Sequence, residues 1–290
     1  MGCPEVGSLF YCPLMHPVLI QIGSLLIPSY GLCAALGILL ALGLAQWTAP
    51  RAELNPRHAW NMLVLATFAS LALSRLVLIA MNLRDLRRHP AWLLAIAMVH
   101  HPLLAAVGIG GGVAAVLAYA QWARLPSKAV ADCLTPPVAI GMFAEQVGAL
   151  LAGSDYGRAY WRASETASLP SSWLTAVTYS SPLAARWSGT PLGVALYPVQ
   201  AYAAGGALLL AAITFAWLYF PRRGGDVAGV WMIGAGILIF VTELFRDWEG
   251  RGVLLGGSVD IPQLVGLGMV VLGGGLLLEW RSILGDRRND

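Results

Sequence analysis

Glu243 and Arg246 stand three residues apart at the end of an apolar run, in ILIFVTELFRD. On a helix that spacing puts carboxylate and guanidinium on one face. Two readings follow. The charges neutralise each other within lipid, or the guanidinium fork holds phosphate oxygens while the carboxylate orients it or takes a proton. A second polar cluster lies in EQVGALLAGSDYGRAY, which opens on Glu145 and reaches Asp155, Gly157 and Arg158 where the apolar run gives way to Gly, Ser and Tyr. Arg75 sits in LALSRLVLIAMNL, and Tyr30 follows Pro28 and Ser29 in LLIPSYGLCAALG. Arg75 reads either as a side chain snorkelling to an interface or as a ligand. The phenol of Tyr30 would serve a substrate, or backbone groups freed where Pro28 and Gly31 loosen a first helix.

These residues matter because of the chain around them. Its 290 residues are 58% hydrophobic and 11% charged, whereas a soluble domain carries about 25% charged residues. The chain is therefore read as an all-α polytopic membrane protein. Inside a bilayer an ionisable side chain costs at least about 2.5 to 3.5 kcal/mol on insertion scales. Arg75, Glu145 and Glu243, and Asp132, Asp155 and Arg246 near span ends, thus each need a partner or a task. For Asp132, beside QWARLPSK, the expectation is an interfacial pair.

Apolar stretches of about 20 residues occur at roughly 24–47, 58–82, 103–122, 130–152, 196–219, 227–246 and 261–281, which gives about seven spans. AWLLAIAMVHHPLLAAV is interrupted by His100, His101 and Pro102, so a re-entrant or interfacial piece is expected before the third span. A single membrane domain, 1–290, is expected. A small extramembrane head at 153–195 lies between the fourth and fifth spans, with Trp and Tyr side chains suited to the headgroup level. Lys and Arg are nearly balanced between alternate loops, and the lean toward an outside N-terminus rests on the absence of basic residues in the first segment and on the cluster RSILGDRRND at the C-terminus. That segment, MGCPEVGSLFYCPLMHP, lacks a basic stretch and is broken by Pro, so the first span is expected to direct insertion itself.

Composition also bounds what the chain binds. The net charge of +3 comes without a basic run, so no nucleic-acid partner is expected. Cys3, Cys12, Cys33 and Cys133 form no CxxC pair, and no metal site or cofactor is expected. Cys3 and Cys12 either pair in an oxidising compartment or remain free thiols. The run GIGGGVAAVLAYA, from Gly108, reads as a helix-packing face or as a loop whose amides meet an anion. It is not a nucleotide loop, because no Lys-Ser or Lys-Thr follows it.

Taken in order, these motifs resemble those of the prolipoprotein diacylglyceryl transferase family, from about Ile20 to Leu278. IPSYGLCAALG is similar to I-x-x-YG-L-x-x-x-LG, with Tyr30 at the family's essential Tyr. SRLVLIAMN matches AR-L-x-Y-V-L-x-x-N at Arg75 and Asn82. EQVGALLAGSDYG keeps the glycine frame of GR-I-G-N-F-x-x-G-E-x-x-G at Gly148, Gly153 and Gly157. YPVQAYA resembles HP-S-Q-L-Y-E through Pro198, Gln200 and Tyr202. The sixth-span motif ending E-F-x-R is kept at Glu243 and Arg246, and SVDIPQLVGLGM resembles S-x-G-Q-x-L-S-x-P-M through Gln263.

The departures fall on titratable positions. The signature Arg, Asn and Glu fall at Gln146, Ala149 and Ser154, and the Arg four residues before Glu243 is Ile239. The His of the family's HGG motif falls at Gly110, and that of HPSQLYE at Tyr197. The resemblance implies transfer of the diacylglyceryl group of phosphatidylglycerol to the lipobox Cys thiol of preprolipoproteins, in a multi-pass protein of the bacterial inner membrane. Tyr30, Glu243 and Asp155 are then the candidate catalytic residues. Arg75, Gly157, Arg158, Gln200, Tyr202, Arg246 and Gln263 are the candidates for holding substrate. His100 and His101 are candidate replacements for the missing His, or an interfacial pair. The neutral replacements leave open a second reading, a weakly catalytic paralogue that binds phospholipid or signal peptide, and buried charges leave open a third, a small transporter.

Overall fold

The computed structural model describes residues 16–22, 25–83, 102–160, 174–246, 253–254 and 259–286. His100, His101, Cys3 and Cys12 lie outside them, as does the expected re-entrant piece before Pro102. Among the described residues, seven helices are long and apolar enough to cross a membrane. They are α1 (Ser29–Arg51), α2 (Pro56–Met81), α3 (Pro102–Trp122), α4 (Ser127–Ala152), α6 (Val199–Trp217), α7 (Asp226–Glu243) and α8 (Ile261–Asp286). A short helix, α5 (Pro182–Ser188), lies between α4 and α6. Leu39, Phe68, Ile109, Leu209, Ile237 and Val271 are exposed on these helices. Lipid, not a protein core, is the solvent such faces require.

Among the described residues the strands pair in three antiparallel ribbons. They join β1 (Val18–Ile22) to β2 (Leu25–Pro28), β3 (Val177–Thr178) to β4 (Ala195–Leu196), and β5 (Val253–Leu254) to β6 (Val259–Asp260). The first ribbon corrects the expected first span. Residues 25–28 form a strand and the helix begins at Ser29, so Tyr30 lies in the first turn and not within a loosened helix. Pro28 ends the strand opposite Val18, while Ser29 N–H donates to Pro17 O at 2.9 Å and Ser29 Oγ to His16 O. A short apolar run such as LLI reads equally as strand or helix, because periodicity cannot separate the two over four residues.

The chain forms two compact units. The first comprises the described parts of Met1–Gly37, Met142–Ala207 and Leu238–Leu264; the second comprises those of Ile38–Gly141, Leu208–Ile237 and Val265–Asp290. In the second unit small residues let helices approach. A Cβ on Gly108 would lie 3.0 Å from Ser70 Oγ, and one on Gly112 would lie 3.3 Å from Ala66 O. The glycine run is thus a packing face between α2 and α3, as small residues are at membrane helix contacts. Gly112→Leu is expected to force the pair apart and lower stability by about 1 to 3 kcal/mol, read as a lower Tm in detergent.

Asp132 has a different role from the interfacial pair expected of it. It is buried, and its two oxygens accept from Gly225 N–H at 2.8 Å and Ala228 N–H at 3.0 Å. Those amides open α7, whose first-turn donors have no partner within the helix. The carboxylate therefore caps α7 from α4, where the positive end of the helix dipole also favours it. Asp132→Ala is expected to orphan both amides at about 1 to 3 kcal/mol each, seen as loss of folded protein at lower temperature.

Candidate active site

The first unit holds a cluster that begins where α1 and α4 approach. A Cβ on Gly148 would lie 2.9 Å from Cys33 Cβ and 3.3 Å from Tyr30 Cα and O. Only a glycine lets the first turn of α1 lie that close. One turn earlier on α4, Glu145 faces Tyr30, whose hydroxyl donates to Glu145 Oε1 at 3.4 Å. The other carboxylate oxygen accepts from Gln146 Nε2 at 2.5 Å, while Gln146 Oε1 is buried without a hydrogen-bond partner among the described residues.

Beyond α4 the backbone turns sharply. Gly153 has φ +79° and Asp155 φ +54°, a region that favours Gly and tolerates Asp better than most side chains. Asp155 Oδ1 stands 3.6 Å from Arg246 Nη1, and Glu243 Oε1 stands 3.4 Å from Arg246 Nε. Glu243 closes α7 and is buried, while Arg246 lies beyond the helix end. The expected pair therefore forms, but with Arg246 in a turn that bridges to Gly157. Its side chain is 12% exposed. Both separations exceed those of tight charge-assisted hydrogen bonds, roughly 2.7 to 2.9 Å. A guanidinium with five donors, held loosely between two carboxylates, is able to take phosphate oxygens as well.

Gly157 fixes this turn. Its N–H donates to Tyr197 O at 3.2 Å, and the next amide, Arg158 N–H, donates to Phe245 O at 2.9 Å. A Cβ on Gly157 would lie 2.5 Å from Tyr197 O, 2.7 Å from Val199 Cγ2 and 2.8 Å from Phe245 O. Three segments meet at one point that has no room for a side chain. Beside it runs an aromatic row, with ring centroids 5.1 Å apart for Tyr160 and Tyr197, 5.5 Å for Tyr197 and Phe245, and 6.0 Å for Tyr202 and Phe245. Arg158 Cζ lies 5.7 Å from the Tyr197 ring centroid, within cation-π reach.

Other candidates have structural tasks. Gln200 is fully buried and donates to Ser154 O at 2.6 Å and Tyr179 Oη at 3.3 Å, so it braces the turn after α4. Tyr202 Oη donates to Leu174 O at 2.7 Å. Gln263 N–H donates to Asp260 Oδ1 at 2.8 Å and Gln263 Oε1 accepts from Asp260 N–H at 3.2 Å, a capping box that opens α8. Arg75 is half-buried on α2 in the second unit, where Gly110 also lies; a Cβ on Gly110 would meet nothing within 4 Å. Asn82 caps α2, its side chain donating to Leu78 O at 3.0 Å. Of the family's altered positions, Ala149 is fully buried and Tyr197 belongs to the aromatic row. The contact of Glu145 with Tyr30, 115 residues apart, follows from the close approach of α1 to α4 at Gly148.

The family model described as prolipoprotein diacylglyceryl transferase matches residues 17–279. A phosphatidylglycerol-prolipoprotein diacylglyceryl transferase of Pseudoalteromonas translucida is 26% identical over 278 residues, covering 92% of this chain and 93% of that protein. Proteins of the same name from Photobacterium profundum and Verminephrobacter eiseniae are 27% identical over 278 residues and 29% identical over 291. They cover 92% and 94% of this chain, and 94% and 95% of their own lengths. With the glycine frame, the Tyr30 turn and the Glu243–Arg246 pair in place over that length, the chain belongs to the prolipoprotein diacylglyceryl transferase family.

Proposed function

We propose that this chain transfers the diacylglyceryl group of phosphatidylglycerol to the lipobox Cys thiol of preprolipoproteins, as a multi-pass protein of the bacterial inner membrane. The observation that carries the reading is Arg246, a guanidinium set between Asp155 and Glu243 at the end of a membrane span, in one unit with Tyr30. The thiolate attacks the diacylglyceryl carbon, the carbon–oxygen bond to phosphate breaks, and glycerol phosphate leaves. Negative charge gathers on the departing phosphate, where a pre-placed cation stabilises the transition state. Asp155 and Glu243 position Arg246 for that task, and Arg158 beside the Tyr197 ring supplies a second cation for the headgroup. Gly157 frames the site by letting three segments meet. Tyr202 and the aromatic row offer a surface for the lipid or the signal peptide, and Arg75, Gln200 and Gln263 are further candidates for substrate contact.

The test is genetic. A bacterium depleted of its own transferase receives this chain, and a reporter prolipoprotein is expected to become lipidated. Failure to lipidate despite good membrane expression overturns the reading and favours the paralogue that only binds phospholipid or signal peptide. The neutral residues Gln146 and Ala149, at positions where the family signature has Arg and Asn, are what would support that alternative.

A further inference from the structure

Three carboxylates belong to the cluster, and their partners differ. Asp155 and Glu243 are both ion-paired with Arg246. Glu145 instead accepts hydrogen bonds from neutral donors, the Tyr30 phenol at 3.4 Å and the Gln146 amide at 2.5 Å. Among the described residues it forms no ion pair, and its side chain is half-buried. A carboxylate held this way is able to take up and return a proton without breaking an ion pair. The ionisable groups acting on it are Tyr30 from α1, Asp155 from the turn after α4, and Arg246 from the turn after α7.

We propose that Glu145 is the proton acceptor for the lipobox thiol, with Tyr30 and Gln146 holding its carboxylate in place. The proposal rests on the transferase reading above. At position 146, where the family signature has Arg, the amide here serves as a donor to that carboxylate. In the step, the thiol proton passes to Glu145 as the thiolate forms. The sulfur–carbon bond then forms as the carbon–oxygen bond breaks, with that electron pair going to the phosphate oxygen. Glycerol phosphate leaves as a phosphate monoester that accepts the proton from Glu145, and the Glu145 carboxylate is restored. Atoms and charge balance, and no other reactant is required.

The experiment uses the purified full-length chain in phosphatidylglycerol vesicles with a synthetic lipobox peptide, following thioether product against pH. Near neutral pH, Glu145→Gln is expected to lower kcat/KM by about 10²- to 10⁴-fold, the usual contribution of a general base. The deficit is expected to shrink by about tenfold per pH unit as solution ionises the thiol, toward its ordinary value near pH 8.5. Glu145→Asp, which keeps a carboxylate, is expected to be slower than the parent but to retain its pH profile. Near-parental activity of Glu145→Gln, or a loss equally deep at every pH, overturns the proposal and leaves Glu145 a purely structural group. A parent chain that makes no product, where another transferase of the family does, overturns the transferase reading and this proposal with it.

Discussion

Arg246→Ala is expected to lower diacylglyceryl transfer by about 10²- to 10³-fold, the usual loss when a pre-placed donor to developing negative charge is removed. The size follows from its setting. The side chain is 12% exposed and lies between Asp155 and Glu243, so its loss would remove the proposed phosphate clamp and also takes a cation from beside two carboxylates. Breaking an ion pair by deleting one partner is costly for that reason. Arg246→Lys keeps the charge without the planar fork and is expected to recover only part of the rate. The measurement is initial transfer rate at matched amounts of membrane-inserted protein. An Arg246→Ala variant with parental rate removes the guanidinium from the chemistry.

Gly157→Ala is expected to abolish transfer and to reduce the amount of folded protein. The added Cβ would stand 2.5 Å from Tyr197 O and 2.8 Å from Phe245 O, both backbone atoms that cannot rotate away. Relief requires the segments carrying Tyr197 and Phe245 to part, which breaks the hydrogen bonds from Gly157 N–H and Arg158 N–H that hold the turn. Overpacking of this kind costs about 1 to 3 kcal/mol or more. Gly141→Ala is the control, because a Cβ there meets nothing within 4 Å. It is expected to fold and transfer as the parent does, and a shared loss in both variants would show that crowding at Gly157 is not the cause.

The seven spans were legible because apolar length alone decides them, and the Glu243–Arg246 pair because a spacing of three survives even where the helix ends between the two residues. Gly157 was legible as part of a spaced frame, though not the reason for it, since the crowding comes from segments about 40 and 90 residues further along. The capping box at Asp260 and Gln263 has a readable pattern, an Asp and a Gln three apart before an apolar run. Asp132 was not legible as a cap, because the amides it serves open a helix 93 residues away. Nor was the contact between Tyr30 and Glu145, 115 residues apart. It depends on how closely α1 approaches α4 at Gly148, which is set by packing and not by local pattern.

A chain with Gln146 and Ala149 in the family signature is expected still to transfer a diacylglyceryl group. The decisive measurement is mass spectrometry of a lipobox peptide incubated with the purified chain and phosphatidylglycerol vesicles. The expected result is a thioether-linked diacylglyceryl group on the cysteine, with one glycerol phosphate released for each peptide modified. Unmodified peptide and no released glycerol phosphate, in an assay where another family member gives both, would contradict it.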